Sequence, residues 1–435
     1  MEVGAMCGCG SSSRERKKTK EGTIKQETQI NPDGSLPLSE EVLEQLGITA
    51  GSKVIVSSSP SGLSLRNINP ALSKIYIEPT NTCNLNCRTC IRHTWKDPVG
   101  FLKMETYIKL LEEVSTIPSI TKISFWGFGE PLLHPNIVEM IARAKTLGLE
   151  TQLITNGLLL DLKMAKSLVA ANLDSIVVSI DGSSEETQAD VRSGADLNLV
   201  KKNIKQLRLV RYHNESATPE IGIEFVAMKS NVKELGNIKD VACELGANFI
   251  FVTNVLPYSS ELKDEILYWQ SVDMKLPQQG CEFMPKITFP PMDNRREEVG
   301  ENLFKISGPV DLSHTIVNKG DGYCRFVGEG SLVISWDGEV SPCAALMHAY
   351  SCYVLGRKKD IKRYTVGNIE QDNITDLWDN QDFTNFRERV QRFDFAPCTH
   401  CGGCEMAESN EEDCYDNTFP VCGDCLWAQG VIQCP

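Results

Sequence analysis

Cys83, Cys87 and Cys90 follow the spacing C-x3-C-x2-C within the run from Glu78 to Cys90. Thiolates at this spacing can bind three irons of a [4Fe–4S] cluster and leave the fourth iron without a protein ligand. An open iron is a docking point for a ligand, whereas four cysteines normally form a closed electron carrier. The sequence therefore predicts a cluster that binds a further molecule at this loop.

The elements that must position this loop alternate between strand and helix patterns from residue 70 onward. Short apolar runs predict six strands, and apolar residues three or four positions apart predict helices between them. The predicted strands are 74–78, 122–125, 150–155, 175–180, 220–226 and 248–253, and the predicted helices are 104–115, 136–147, 161–171, 197–211 and 232–245. Short crossovers imply a parallel sheet with outer helices. The strand count alone allows a partial barrel or a doubly wound sheet.

Glycine-rich and polar segments follow three of these strands, at the sheet edge where ligands gather in parallel α/β folds. They are Trp126-Gly-Phe-Gly-Glu-Pro131, Thr155-Asn-Gly157 and Ser179-Ile-Asp-Gly182. Glycine lets backbone carbonyls approach a ligand closely, and a glutamate can accept a hydrogen bond from an ammonium group. Each segment taken alone is also typical of an ordinary turn.

The cysteine loop together with these segments resembles the radical S-adenosylmethionine (SAM) superfamily over about residues 74–260. The resemblance implies an α/β fold with a partial (β/α)6 barrel and a [4Fe–4S] cluster whose open iron chelates SAM. It implies reductive cleavage of SAM to a 5′-deoxyadenosyl radical, which takes a hydrogen from the substrate. The residues that it assigns to SAM are Gly127, Gly129, Glu130, Pro131, Asn156, Ser179 and Asp181. Phe128 stands where the family often has a glycine, and no residue receives a catalytic role.

Ten of the seventeen cysteines lie from Cys324 onward. In a reducing compartment this density indicates metal ligands rather than disulfides. Paired C-x2-C elements are also typical of zinc sites, so the tail taken alone leaves zinc open. Two full [4Fe–4S] clusters need about eight thiolates, which leaves Cys352 and one other cysteine over. The sequence gives no role to Cys7, Cys9, Cys243 or Cys281.

The tail, with a predicted hairpin at 331–343, resembles the SPASM domain of radical SAM enzymes that modify peptides and proteins. The resemblance implies two auxiliary [4Fe–4S] clusters. Their candidate ligands are Cys324, Cys343, Cys398, Cys401, Cys404, Cys414, Cys422, Cys425 and Cys434. The family's second cysteine group usually runs C-x2-C-x5-C-x3-C, whereas this chain has C-x2-C-x2-C-x9-C, so the pairing of cysteines into clusters stays open. His400 is interpreted as a solvent-facing loop residue.

The run from Cys422 to Pro435, with the N-terminal unit, resembles the radical SAM maturases associated with tungsten-containing aldehyde ferredoxin oxidoreductases. That resemblance implies a protein or peptide substrate, in the first place a tungsten oxidoreductase or its cofactor, and a ferredoxin-like or flavodoxin-like electron donor. A SPASM enzyme that forms thioether or carbon–carbon crosslinks in a precursor peptide is one alternative. A non-catalytic, cluster-bearing regulator that binds DNA through residues 25–69 is another.

Residues 25–69 resemble the swapped-hairpin domains of some transcription factors, with a capped helix at 39–46 and a hairpin at 51–66. The unit has few basic residues, which favours docking or dimerisation over DNA binding. The predicted division of the chain is a disordered tail at 1–24, this module at 25–69, the core and a connector at 70–305, and the cysteine-rich domain at 306–435.

Net charge and hydropathy argue against two classes of partner. A formal charge of −14 argues against non-specific nucleic-acid binding over the whole surface. No apolar stretch approaches the roughly 20 residues that cross a bilayer, so no membrane partner is expected. The N-terminus lacks the apolar segment of a signal peptide, which predicts a cytoplasmic protein.

Overall fold

A ten-stranded sheet lies at the centre of the computed structural model. The structure describes residues 26–59, 62–95, 97–267, 286–288, 324–399 and 404–434. Several predictions lie outside these residues, namely the tail at 1–24 with Cys7 and Cys9, most of the connector with Cys281, the domain boundary at 305–306, His400 and Cys401.

The strands extend from the N-terminal module to the cysteine-rich region. They are β1 (Val54–Ser59), β2 (Gly62–Asn67), β3 (Lys74–Ile77), β4 (Lys122–Phe125), β5 (Glu150–Thr155), β6 (Ser175–Ser179), β7 (Glu220–Ala227), β8 (Phe249–Asn254), β9 (Lys286–Thr288), β10 (Ser331–Ile334), β11 (Glu339–Ser341), β12 (Tyr350–Val354), β13 (Arg357–Ile361) and β14 (Gly367–Asn368).

The helices mostly follow strands of the central sheet. They are α1 (Glu40–Gln45), α2 (Met104–Thr116), α3 (Ile137–Thr146), α4 (Leu162–Ala170), α5 (Glu185–Val191), α6 (Leu197–His213), α7 (Leu235–Leu245), α8 (Arg325–Gly328), α9 (Ile374–Asp379) and α10 (Gln381–Arg392). Asp161 and Asp196 cap the N-termini of α4 and α6, since each side chain accepts a backbone N–H of the first turn. The short helix α5, which periodicity did not predict, begins at a capping box on Ser184.

The prediction of a radical SAM-type parallel sheet is confirmed in its central part. Strands β3 to β8 are adjacent in chain order and all parallel, with Ile75 opposite Ile123 and Ile223 opposite Ile250. Helices on the outside bury one face of each strand, which explains near-continuous apolar runs such as Ile176 to Val178. Crossover connections join these six strands, which all run in the same direction, so their carboxyl ends share one edge of the sheet.

Strands from the cysteine-rich region extend the same sheet. Strand β10 pairs in parallel with β3, placing Leu332 beside Ile75, and β11 and β14 continue the sheet in antiparallel fashion. At the opposite edge, β9 pairs with β8. Farther along the tail, the carbonyl of Val431 accepts from the side-chain amide of Asn254 at 2.8 Å. The cysteine-rich region is therefore packed directly against the core.

The N-terminal module contains α1, capped by Ser39, and the hairpin β1–β2. Both were expected from the sequence. Val56 and Leu63 project from the hairpin and are more than half exposed. Dimerisation or docking through this module stays a prediction. Among the described residues, no helix combines the length and the apolar composition needed to cross a membrane.

Candidate active site

The loop after β3 presents three cysteine thiols, and the sulfur atoms of Cys83 and Cys90 accept from N–H donors. The Leu85 amide donates to Cys83 Sγ at 3.4 Å, and Arg92 Nε donates to Cys90 Sγ at 3.3 Å. Arg92 also donates to the carbonyl of Leu85 at 2.9 Å, which fixes the loop around its guanidinium. N–H donors to ligand sulfurs are a recognised way in which proteins tune an iron–sulfur cluster. The donor set thus fits a [4Fe–4S] cluster.

Burial makes the thiols of Cys83 and Cys87 poor free nucleophiles. It raises the pKa of Cys83, and it raises the pKa of Cys87 to about 11. A thiol in such a site keeps its proton at neutral pH unless a cation compensates the thiolate. Iron supplies that positive charge, so this environment suits a metal ligand better than a redox-active free cysteine.

The turn after β4 packs directly against the cysteine loop. A Cβ atom added at Gly129 would lie 2.0 Å from the Thr80 carbonyl oxygen, so only glycine fits there. The amide of Glu130 donates to the Thr82 carbonyl at 2.8 Å. At Gly127, φ is 158° and the position faces the side chain of Glu78. The structure therefore brings the predicted Gly-Glu-Pro segment, with Pro131 starting the 3-10 helix Pro131–Leu133, beside the three cysteines.

Glu130 connects this turn to the end of β5. Its Oε1 atom accepts from the Thr155 hydroxyl at 2.6 Å, and its Oε2 atom accepts from the Asn156 amide at 2.8 Å. Burial raises the pKa of this carboxyl group, while these donors act to lower it. Asn156 in turn donates to Asn84 Oδ1 at 2.8 Å and lies 3.9 Å from Cys83 Sγ. Glu130 thus aligns two predicted SAM segments, and its contact with SAM itself stays a prediction.

Ser179 and Asp181, at the end of β6, belong to a buried charged group. Arg192 Nε lies 2.7 Å from Asp181 Oδ2, and the Val226 amide donates to Asp181 Oδ1 at 2.7 Å. The Ser179 hydroxyl donates to Glu224 at 2.9 Å, and burial raises the pKa of Glu224. Both predicted residues therefore already have protein partners. Asp181 holds the Arg192 guanidinium at the sheet edge that also carries the cysteine loop.

One set of tail cysteines lines a single cavity. Cys324, Cys343, Cys422 and Cys425 all line it, and Cys343 and Cys422 are buried. Burial raises the pKa of Cys343 well above its usual value, and the nearby Cys324, Cys425 and Cys422 raise it further. Burial likewise raises the pKa of Cys324 to about 12. Four mutually close, buried thiols match the donor set of a closed [4Fe–4S] cluster.

Cys398 and Cys414 form a second set. Burial raises the pKa of Cys398, and Cys414 is close enough to contribute. Cys404 is exposed in the same part of the chain, and Cys401 lies outside the described residues. Within the described ranges, no three His, Cys, Asp or Glu side chains converge on a point that would hold a single metal ion.

Two tail cysteines, Cys352 and Cys434, are assigned to neither set. Cys352 is buried on β12 and lines the same cavity, with Lys359 opposite it on β13. Cys434 is next to β3, where burial raises its pKa to about 12 and Lys74 opposes that shift. From the sequence, the second cysteine outside the clusters, besides Cys352, was left open. The position of Cys434 favours Cys434 as that cysteine.

Several charged side chains at these sites were not found from the sequence. Arg92 could have been noticed, because it follows Cys90 by two residues. Asp424 could likewise have been noticed between Cys422 and Cys425, whereas Arg192 and Lys359 carry no local pattern that distinguishes them from other polar residues. Their positions depend on which distant strands and loops meet, which one sequence does not reveal.

Known families match both halves of the chain. Residues 77–223 match the model of the Radical SAM superfamily, and residues 324–405 match SPASM, an iron–sulfur cluster-binding domain. The chain is 30% identical over 370 residues to the tungsten-containing aldehyde ferredoxin oxidoreductase cofactor-modifying protein of Pyrococcus furiosus. That alignment covers 83% of this chain and 96% of the relative.

Solved structures share the fold at low sequence identity. Streptococcus suis SuiB bound to its precursor peptide SuiA has a TM-score of 0.52 at 15% identity, covering 73% of this chain and 67% of that one. The protein anSMEcpe with bound AdoMet has a TM-score of 0.51 at 18% identity, covering 78% of this chain and 92% of that one.

Proposed function

The chain belongs to the radical SAM superfamily, and on that premise we propose that it cleaves SAM reductively to modify a partner protein or its cofactor. Its cofactors are [4Fe–4S] clusters and SAM, and its tail is a SPASM domain. The bound cluster and SAM supply a 5′-deoxyadenosyl radical, which abstracts a hydrogen from the substrate. The observation that carries the proposal is the 30% identity to a cofactor-modifying protein along nearly its whole length.

The chain's own residues bind and orient these groups. We assign the cluster to Cys83, Cys87 and Cys90, with Arg92 and the Leu85 amide donating to their sulfurs. The turn from Gly127 to Pro131 leaves its backbone close to the cysteine loop, where it can meet the methionyl end of SAM. Glu130 keeps that turn and Asn156 in register through its two carboxylate oxygens.

The charged group at the end of β6 supplies the other side of the SAM site. The Arg192 guanidinium is close enough to Cys87 to act on the pKa of its thiol, and a guanidinium suits the carboxylate of SAM. Asp181 orients Arg192 through a contact of 2.7 Å. Ser179 and Glu224 present hydroxyl and carboxylate oxygens that suit ribose hydroxyl groups.

The tail cysteines are assigned to two auxiliary clusters. Cys324, Cys343, Cys422 and Cys425 bind the first, because they share a cavity. Cys398, Cys401, Cys404 and Cys414 bind the second, because Cys398 and Cys414 are near each other and the other two lie between them in sequence. With four protein ligands each, both clusters transfer electrons and do not bind substrate.

The substrate class follows from the relative. The Pyrococcus furiosus protein is described as modifying the cofactor of a tungsten-containing aldehyde ferredoxin oxidoreductase. We propose the same partner class here, with a ferredoxin-like or flavodoxin-like protein as the electron donor.

Anaerobic reconstitution tests the proposal. We expect about twelve irons per chain, from three four-iron clusters, and release of 5′-deoxyadenosine when dithionite and SAM are added. A tungsten oxidoreductase partner should then gain activity or mass only in the complete mixture. Fully reconstituted protein that releases no 5′-deoxyadenosine would exclude radical chemistry. Release without any change in the partner would exclude the proposed substrate while leaving the chemistry intact.

A further inference from the structure

A buried ion pair lies between the two sets of tail cysteines. Lys359 Nζ is 2.6 Å from Asp424 Oδ1, and the two side chains are 4% and 2% exposed. Asp424 belongs to the run Cys422-Gly-Asp-Cys425, and both charged residues line the cavity of the first cysteine set. The pair is therefore part of the wall of a proposed cluster site.

The same pair faces the second cysteine set. Arg357 lies 3.8 Å from Asp424 Oδ2 and donates to the Cys398 carbonyl at 3.0 Å. The charges of Asp424 and Lys359 also act on the Cys398 thiol, with Asp424 raising its pKa and Lys359 lowering it. Lys359 and Asp424 are therefore close to Cys422 and Cys425, with which they line a cavity, and also to Cys398.

Fold stability does not account for this pair. Moving two charges out of water is costly, and a buried pair is often no more stabilising than apolar residues of similar size. In addition, Asp424 Oδ2 has no hydrogen-bond donor among the described residues. A buried charge pair with one unsatisfied oxygen costs free energy of folding. We expect such a pair to line a cavity where its electric field acts on what the cavity binds.

We propose that the Lys359–Asp424 pair sets the reduction potentials of the two auxiliary clusters and so the direction of electron flow between them. The inference rests on the proposed function, because it requires both clusters. Reduction adds one electron to a cluster, so a nearby ammonium favours it and a nearby carboxylate opposes it. Such fields act strongly in a site from which water is excluded, and local charge is a known determinant of cluster potential.

The proposal predicts potential shifts of opposite sign. In full-length protein whose Cys83, Cys87 and Cys90 are replaced by Ala, only the auxiliary clusters contribute to the electron paramagnetic resonance signal. Lys359→Met should lower at least one auxiliary midpoint potential, since it removes the nearer cation of Asp424 and leaves Arg357 at 3.8 Å. Asp424→Asn should raise it, and the double variant should return toward the parent value.

Matched controls separate this role from a structural one. Lys358→Met removes the neighbouring lysine of the same strand, which is 60% exposed, and Lys359→Arg retains the charge. Both should leave the potentials unchanged. Shifts of the same sign in Lys359→Met and Asp424→Asn, or no shift with iron fully retained, would overturn the inference. If Lys359→Met loses iron, the Asp424→Asn protein decides alone: a raised potential supports the inference and an unchanged one overturns it. Parent protein without tail-bound iron would overturn the cluster assignment as well.

Discussion

His348 Nε2 lies 3.0 Å from Glu78 Oε2, and both side chains are buried. His348 Nδ1 lies 3.3 Å from Asp97 Oδ2, and the ring packs against Trp95 with centroids 4.0 Å apart. Each ring nitrogen of His348 therefore lies within hydrogen-bonding reach of a carboxylate oxygen. Glu78 also accepts from the Phe128 amide at 3.0 Å. A residue of the tail thereby supports the turn that we assign to SAM.

Replacing His348 by Gln should weaken SAM binding. If the shorter amide does not donate to Glu78 Oε2, that buried oxygen loses its donor, which costs about 1–3 kcal/mol. Because Glu78 also positions the Phe128 amide, we expect part of that cost in the SAM dissociation constant. Titrating SAM into reconstituted protein, with the spectroscopic change at the cluster as the readout, measures it.

A double-mutant cycle provides the control for His348. Glu78→Gln removes the carboxylate charge that His348 opposes, so the double variant Glu78→Gln with His348→Gln should lose less than the two single losses added. Strictly additive losses would show that the two side chains act independently on the SAM site.

The parts of this fold that were predictable from the sequence have local causes. Strands such as β6 and β8 contain runs of three or four apolar residues because they are buried, and the cysteine spacing needs only eight consecutive residues from Cys83. The contact of His348 with Glu78 joins positions 270 residues apart, and nothing near either residue indicates it. Likewise, Cys324 and Cys422 line the same cavity because the tail folds onto β3. No periodicity in the sequence encodes such contacts.

Replacing Cys83, Cys87 and Cys90 together by Ala should abolish 5′-deoxyadenosine release. The tail sites lie on other elements, so the variant should keep about eight irons. Iron and sulfide analysis together with chromatographic detection of 5′-deoxyadenosine measure both quantities. Cys243→Ser, at an exposed position of α7, is the matched cysteine control and should change neither. Residual release from the triple variant would contradict the assignment of the SAM cluster to this loop.

Lys74 should make stability depend on pH in a defined direction. Burial lowers its pKa to about 7, and its Nζ lies 2.5 Å from the Tyr76 hydroxyl. Between about pH 7 and 10 the folded chain binds fewer protons here than the unfolded chain, whose lysine titrates near 10.4. Stability at this site therefore rises with pH, by up to about 1.4 kcal/mol per unit.

Urea denaturation of the cluster-free protein measures this dependence. Lys74→Met removes the penalty of the buried charge, so its stability relative to the parent should be greatest below pH 7 and should decline toward pH 10. Lys53→Met, at a site whose side chain is 74% exposed, should show no such trend. A constant difference between Lys74→Met and the parent across this range would contradict the lowered pKa.

The two sets of tail cysteines should lose iron separately. In the protein without the SAM-cluster cysteines, we expect Cys422→Ser with Cys425→Ser to lower bound iron from about eight to about four, since a cube cannot persist on two thiolates. Cys398→Ser with Cys414→Ser should remove the other four. Cys352→Ser is the matched control, because Cys352 lines the first cavity but is not assigned as a ligand. Loss of four irons on replacing Cys352 would assign Cys352 to the first cluster in place of one of its four proposed ligands. Zinc bound to the tail instead of iron would support the zinc-site alternative.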